Sequence, residues 1–400
     1  MSSPAKHRRV EEPPPPPVPV DLLLEIFARL DVATIVRCAA TSKTVRRAIL
    51  DDDSPAALGR RLVANGALLL GVSYAFLEHK HSDRARSVGQ VPPRSLRFDA
   101  GVLTWVEPVA SRGGLIVLRC RRNYPHLYVR NALTGRITSW LPHHHVSDDY
   151  PPALLAVGDA GRSFQLLVSD VSLRTQVFSS ESGEWGPVAQ VAGGGGGLPP
   201  GFPRSAPRRG SHPVVLGGGA AVCWLHSRDQ CVIRLDIGKA QATLIELPRR
   251  VRLCYHHAYD YDHMALQLAS SSADGELSLL VAGVRVISMW TLSATAEEKG
   301  GAGSSSPAAS RWTRQVLIER EAIGREDLSG GYSAHFLGFG ELSGMAILLM
   351  DQIGLVRVNL RTKEAIVLGS DGFKGVDAGT LQLCLHETDL PSLLRAMRSF

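Results

Sequence analysis

Short runs of β-branched and other apolar residues recur between residues 96 and 379, separated by Gly, Asn, Asp and Pro. Each run has the length of a strand, and no long segment with helical 3.6-residue periodicity interrupts the series. The runs form blocks of three or four, and each block occupies roughly 35–55 residues with its connections. Repeats of this size with about four strands are typical of propeller blades, so the pattern predicts an all-β repeat domain.

Five blocks can be distinguished by their turn residues, at 115–141, 164–185, 213–247, 264–318 and 335–368. Neither a Trp-Asp signature nor a kelch glycine signature is present, so the prediction depends on the spacing of the strands. We predict a β-propeller over residues 96–388. A pair of β-sandwiches is the alternative that the same strand lengths allow.

A helical module is predicted ahead of this domain, at residues 18–65. Its first helix is indicated by apolar residues at the i, i+3, i+4, i+7 spacing of one helix face, namely Leu23, Ile26, Phe27 and Leu30. Asp31, Ser42 and Ser54 are suitable N-caps for three further helices. A module of about 45 residues cannot bury this much apolar surface alone. We therefore expect a partner or the following domain to cover the excess, the alternative being an ordinary helical subdomain packed on its own chain.

The helical module resembles an F-box, which opens with a Pro ahead of a Leu-rich helix, continues with an acidic-Ile core and ends in a basic segment. The matching residues are Pro19, Leu22, Leu23, Glu25, Ile26 and Leu30 in the first part, Ile35 and Val36 in the middle, and Ser42, Lys43 and Arg46 near the end. The chain departs from the family at Asp31, where a second Pro is usual, at Ser42, where Cys is usual, and at Val45, where Trp is usual.

This resemblance implies docking on a Skp-type adaptor and, through it, on a cullin. The residues it assigns to the adaptor-binding face are Pro19, Leu22, Leu23, Ile26, Leu30, Ile35 and Val36. Some of these residues must pack inward instead, and the sequence does not distinguish them.

The β-rich part is similar to the C-terminal associated domain of a group of grass F-box proteins. The similarity lies in the turn 131–135, the blocks 177–185 and 287–290, and the closing segment 389–394. It implies that the β-domain binds a target protein and that the chain is the substrate-recognition subunit of a cullin-type (SCF) ubiquitin ligase in a plant, without catalytic residues of its own. The fold class is then α+β multidomain, a small all-α F-box followed by a large all-β domain.

The remaining segments are assigned by composition. Residues 1–17 end in five prolines and are predicted to be a disordered tail, and residues 66–95 are predicted to be a linker. Disordered loops are expected at 192–210 and 294–310, and a short helix at 389–400.

The overall composition is that of a globular protein, with 44% hydrophobic and 20% charged residues and a net charge of +6. The arginine pairs are scattered rather than gathered in a basic stripe, which argues against a nucleic-acid partner. The six cysteines include no Cys-x-x-Cys pair, and no apolar run is long enough to span a membrane. We therefore expect a cytoplasmic or nuclear protein with reduced thiols and no membrane partner.

A possible metal site is the segment Cys254–His263, which holds one Cys, three His and two Asp. Its spacing matches no zinc finger, so our prediction is that the chain has no metal or other cofactor. The glycine runs at 193–197 and 217–219 lack the Lys-Ser/Thr that follows a phosphate-binding loop. Two alternatives stay open, a β-propeller metalloenzyme that uses His256–His263 and a propeller scaffold with a degenerate F-box.

Overall fold

The structure is a computed structural model, and it describes most of the β-rich part and three helices near the N-terminal end. The described residues are 19–27, 30, 32–50, 69–76, 86–89, 98–120, 126–132, 135–158, 161–191, 201–207, 212–251, 265–270, 275–283, 285–293, 312–319, 334–350, 353–369, 373, 376, 378–387 and 394.

Three helices form at the predicted module: α1 (Val20–Phe27), α2 (Val32–Thr41) and α3 (Lys43–Leu50). Ser42 caps α3 as expected, because its Oγ accepts a hydrogen bond of 3.3 Å from the Val45 N–H. Helix α3 contacts both other helices, and among the side chains that the structure describes in this module the buried apolar ones are Phe27, Ile35, Ala39 and Ile49. The helix predicted from Ser54 lies outside the described residues.

The described strands form six antiparallel sheets, five of which follow one another along the chain. The first contains β3 (Val106–Arg112), β4 (Leu115–Cys120), β5 (Leu127–Asn131) and β6 (Ile137–Trp140); the second β7 (Ala153–Val157), β8 (Phe164–Ser169), β9 (Arg174–Ser179), β10 (Glu184–Trp185) and β11 (Ala189–Gln190); and the third β12 (Val214–Leu216), β13 (Ala221–His226), β14 (Cys231–Asp236) and β15 (Gln241–Glu246). The fourth contains β16 (Ala265–Ser270), β17 (Leu277–Ala282), β18 (Val286–Leu292) and β19 (Trp312–Glu319), and the fifth β20 (Ala334–Gly340), β21 (Met345–Met350), β22 (Gly354–Asn359) and β23 (Ala365–Gly369).

The sixth sheet joins the two ends of the β-rich part. Its strands are β1 (Leu69–Phe76), β2 (Arg86–Gly89) and β24 (Leu381–Glu387), in the order β2-β1-β24. Strand β1 pairs with β24 over the whole of its length, from Leu69 opposite Glu387 to Phe76 opposite Leu381. The closing sheet therefore combines strands that are about three hundred residues apart in sequence.

The six sheets are arranged in a ring, as in a β-propeller. Their innermost strands β3, β7, β12, β16, β20 and β24 each contact the next one, and β24 contacts β3 to complete the circle. Each of six hydrophobic clusters fills the space between two neighbouring sheets, including the last and the first. The propeller-like β-domain is confirmed, and the alternative of two sandwiches is wrong because the cores close in a circle.

The prediction that residues 66–95 form a linker is wrong, because this range contributes β1 and β2 to the closing sheet. Every described side chain of β1 is buried, so the strand does not alternate between apolar and polar residues. The small residues Gly71 and Ser73 interrupt its apolar run and hide the strand from a search for β-branched residues.

Of the loop expected at 192–210 the structure describes residues 201–207, which pack on the β-domain. Phe202 packs against the cluster between the second and third sheets. The Ser205 carbonyl accepts a hydrogen bond of 2.8 Å from the His226 ring. Of the helix expected at 389–400 only Leu394 is described, and it is helical and buried. The loop at 294–310 and the tail at 1–17 lie outside the described residues.

Candidate functional site

Helix α1 presents an apolar surface to solvent. Leu22 is 52% exposed and Ile26 is 49% exposed, and the two residues lie one helical turn apart on the same side of the helix. Pro19 is also exposed, at the start of the helix, where its carbonyl accepts the Leu23 N–H at 3.2 Å. Phe27 is buried in the module, so this short helix is apolar on two sides.

The residues assigned to the adaptor face differ in their exposure. Pro19, Leu22 and Ile26 are exposed, whereas Leu23 and Leu30 are partly buried. Ile35 is completely buried, so it packs inside the module and cannot offer its side chain to a partner in this conformation. The side chain of Val36 lies outside the described part of the structure. Among the described side chains, the exposed part of the predicted face is therefore Pro19, Leu22 and Ile26, which we call the α1 stripe.

A second candidate site is a cavity of about 40 Å³ at the centre of the sheet ring. It is lined by residues from the inner strands of all six sheets together with His212 and Glu341. A volume of this size holds about three water molecules at most, which is far less than a small-molecule site requires. The cavity is thus too small to bind a substrate in this structure.

The polar groups that line this cavity hold the sheets together. The Arg112 Nε lies 3.2 Å from a carboxylate oxygen of Glu341, and Arg112 Nη1 donates to the carbonyls of Leu154 at 3.0 Å and Leu155 at 2.8 Å. The other Glu341 oxygen accepts the Val215 N–H at 3.3 Å. Burial raises the pKa of Glu341, while the Arg112 charge opposes that rise. One ion pair thereby links strands of the first, second and third sheets to the turn after β20.

The closing strand β24 carries two further buried polar groups. Glu387 accepts the N–H of Ser343 at 2.7 Å and that of Leu342 at 3.2 Å, which fixes the turn after β20 on the last strand. The His386 Nε2 lies 2.6 Å from the Ser73 Oγ, across the β1–β24 pair. Burial lowers the pKa of His386 to about 4, so the ring is neutral at physiological pH. His386 thereby connects the two ends of the β-domain, and Glu387 connects the last strand to the fifth sheet.

The other buried groups with possible reactivity are also held in place. The His226 Nε2 donates to the Ser205 carbonyl at 2.8 Å, and its Nδ1 lies 2.6 Å from a carboxylate oxygen of Asp229. Burial raises the pKa of Cys223 and of Cys231 to about 12, which keeps both thiols protonated and poorly nucleophilic. These groups therefore stabilise the third sheet.

Metal-binding residues do not cluster in the described part of the chain, where no group of three or more His, Cys, Asp or Glu side chains could hold an ion. The segment Cys254–His263 lies outside the described residues, so the structure does not test it. None of the described helices has the length and apolar character needed to cross a bilayer.

Two regions of the chain match known protein families. Residues 18–54 match the family described as F-box-like, and F-box domains generally bind Skp-type adaptors. Residues 71–400 match the family described as Domain of unknown function (DUF7595). A search of the curated proteins finds no match. Since the second region is more than half of the chain, the protein belongs to the DUF7595 family and carries an F-box-like segment ahead of that domain.

Proposed function

We propose that this protein is the substrate-recognition subunit of a cullin-type (SCF) ubiquitin ligase. The observation that supports this most directly is the F-box-like match at residues 18–54, within which the α1 stripe is exposed. An amphipathic helix with apolar residues one turn apart is suited to a groove on a helical partner. The partner in this proposal is a Skp-type adaptor, which links the chain to a cullin.

In this proposal the β-domain binds a target protein, and ubiquitin transfer occurs through proximity. Holding the target beside the ubiquitin-charged enzyme raises the effective concentration of its lysines without any bond chemistry in this chain. A ring of sheets with interlocked cores is a rigid support for binding loops. The proposed place of action is the cytoplasm or the nucleus.

The proposal is tested by substituting the exposed residues of α1 in the full chain. We expect Ile26→Asp, and separately Leu22→Asp, to abolish capture of a plant Skp-type adaptor. Either substitution would bury an unpaired carboxylate in an apolar contact, which costs several kcal/mol and reduces affinity at least about a hundredfold. The measurement is a pull-down with purified adaptor, in which a plant adaptor is used because of the resemblance to grass proteins.

Thr44→Asp is the matched control, because Thr44 is exposed on α3 and its substitution adds the same charge to the same module. This variant should bind the adaptor like the unsubstituted chain. Unchanged binding by Ile26→Asp and Leu22→Asp would exclude the α1 stripe as the docking surface. The scaffold hypothesis would then be the better explanation of the F-box-like segment.

A further inference from the structure

A basic and aromatic groove lies at the outer side of the β-domain, between the third and fourth sheets. Its volume is about 360 Å³, and it is lined by Pro248, Arg249, Arg250, Trp290, Trp312 and Arg314. We call it the Arg–Trp groove. It is separate from both the α1 stripe and the central cavity, and neither adaptor docking nor ring closure uses it.

One side of the groove is formed by the last two strands of the fourth sheet. Trp290 on β18 lies directly opposite Arg314 on β19, and Leu292 lies opposite Trp312, so that all four side chains share one face of the strand pair. The Arg314 guanidinium lies over the Trp290 ring, 5.9 Å from its centroid. This cation–π contact orients the charge toward the groove without neutralising it.

The other side is the turn that follows β15. Its two arginines are exposed, while the adjoining Leu247 and Val251 are buried in the cluster between the third and fourth sheets. The Val251 N–H donates to the Pro248 carbonyl at 2.9 Å, which closes the turn. The indole N–H of Trp312 donates to the Glu246 carbonyl at 2.9 Å and joins the two sides. Arg249 and Arg250 are therefore carried by an anchored turn.

The charge of the groove is not balanced within the described part of the protein. None of the ion pairs found there involves Arg249, Arg250 or Arg314. Three guanidinium groups beside one cavity favour an anionic ligand, since each presents a planar fork of donors that matches a carboxylate or a phosphate. The two partly buried indole rings add an apolar wall that can contact a neighbouring side chain.

We propose that the Arg–Trp groove binds an anionic side chain, phosphorylated or carboxylate, on a protein target. The view that this target is the ubiquitination substrate rests on the proposed function, whereas anion binding by the groove does not. A peptide suits the site better than a nucleic acid does. The Trp290 face is already covered by Arg314, so this ring is not an open platform for stacking bases, and the single remaining indole offers no row of stacking surfaces for a strand.

The experiment uses the immobilised full chain and three oriented peptide libraries that differ only in a fixed central phosphoserine, glutamate or serine. We expect the phosphoserine and glutamate libraries to be retained over the serine library. The preference between the first two identifies the source of the negative charge. Arg250→Gln combined with Arg314→Gln should weaken binding of the selected anionic peptide by about tenfold or more, because charge-assisted hydrogen bonds are lost.

Arg285→Gln combined with Arg361→Gln is the matched control. Both residues are exposed arginines outside the groove, Arg285 near the opposite end of β18 and Arg361 in the turn between β22 and β23. The control should bind the peptide normally, and both double variants should keep the thermal transition of the unsubstituted chain. The proposal would be overturned if the three libraries were retained equally or if both double variants weakened binding equally. Tighter binding of a short oligothymidine than of the peptide would also overturn it.

Failure of anion binding by the Arg–Trp groove can be distinguished from failure of the proposed ubiquitin-ligase role. The groove variant should capture the Skp-type adaptor normally, and Ile26→Asp should bind the anionic peptide normally. If the unsubstituted chain binds the peptide but does not capture the adaptor, only the proposed ubiquitin-ligase role is contradicted. If it captures the adaptor but does not bind the peptide, only the proposal for the groove is contradicted.

Discussion

His386 is a buried residue whose charge state is coupled to folding. Its Nε2 contacts Ser73, and its Nδ1 has no hydrogen-bond partner among the described residues. Protonation would therefore place a charge and an unpaired donor in the interior. The pKa of the folded form is about 4, below the ordinary value of 6.5 that applies to the unfolded chain.

The difference between the pKa of His386 in the folded chain and in the unfolded chain determines how the free energy of unfolding changes with pH. Between pH 6.5 and pH 4 the unfolded chain binds more protons than the folded chain at this residue, so the free energy of unfolding falls as the pH is lowered. We expect His386→Gln to remove this contribution. The stability gap between the unsubstituted chain and the variant should narrow by about 2 kcal/mol from pH 7 to pH 4.5, as measured by urea unfolding.

The exposed residue His143 provides the control. His143→Gln removes an imidazole that lies in solvent, so it controls for the loss of one histidine from the chain. A gap between the unsubstituted chain and His386→Gln that stays constant with pH would contradict the assignment of a neutral, buried ring. Nothing in the sequence around His386 indicated this role, since the ring meets Ser73 only through pairing of distant strands.

At the scale of the element, helices α1 and α2 illustrate how an apolar pattern leaves function ambiguous. The spacing of apolar residues predicted which segments are helical, and the F-box resemblance predicted a common binding face. Neither could separate Ile26, which is exposed, from Ile35, which is completely buried. That difference depends on how the three helices pack, which local periodicity does not contain.

Because Ile35 is buried and Leu22 is exposed, we expect alanine substitutions of these two residues in the full chain to have different effects. Ile35→Ala removes buried methyl groups and should destabilise the helical module by about 2–4 kcal/mol. Leu22→Ala removes exposed atoms and should change the module's stability by less than about 0.5 kcal/mol while weakening adaptor binding. Hydrogen exchange of the α2 and α3 amides measures the first effect. Similar exchange rates in both variants would show that Ile35 is not part of the module core.

The sequence pattern also predicted only some of the strands. Blocks three to five of the sequence pattern correspond to the third, fourth and fifth sheets, because their strands are apolar and regularly spaced. The inner strands β3 and β7 were missed, and β3 includes the charged residues Glu107 and Arg112 and the proline Pro108. Arg112 occurs there because the inner strands line the central cavity, a requirement that appears only when the ring is closed.

At the scale of the whole molecule, stability depends on joining the two ends of the β-domain. Strand β24 supplies the inner strand of the sixth sheet and contacts both β3 and β20. It also contributes to the clusters on both sides of that sheet. Without β24 the ring would lose one inner strand, and the buried face of β1 would be exposed to water.

We therefore expect a chain that ends at residue 377 to lose its cooperative thermal transition and to aggregate, because β1 would present an unpaired apolar edge. Circular dichroism melting and light scattering measure both effects. A chain that begins at Pro19 is the control, since it keeps every described strand and should melt like the full chain. A normal transition in the shortened chain that ends at residue 377 would mean that the first five sheets are stable without closure.

Adaptor docking is tested most directly by co-expression of the full chain with a plant Skp-type adaptor, followed by size-exclusion chromatography with light scattering. We expect a stoichiometric complex with the unsubstituted chain and with Thr44→Asp. We also expect Ile26→Asp to elute apart from the adaptor although its β-domain melts normally. Separate elution of the unsubstituted chain, or a complex that persists with Ile26→Asp, would contradict adaptor docking through the α1 stripe.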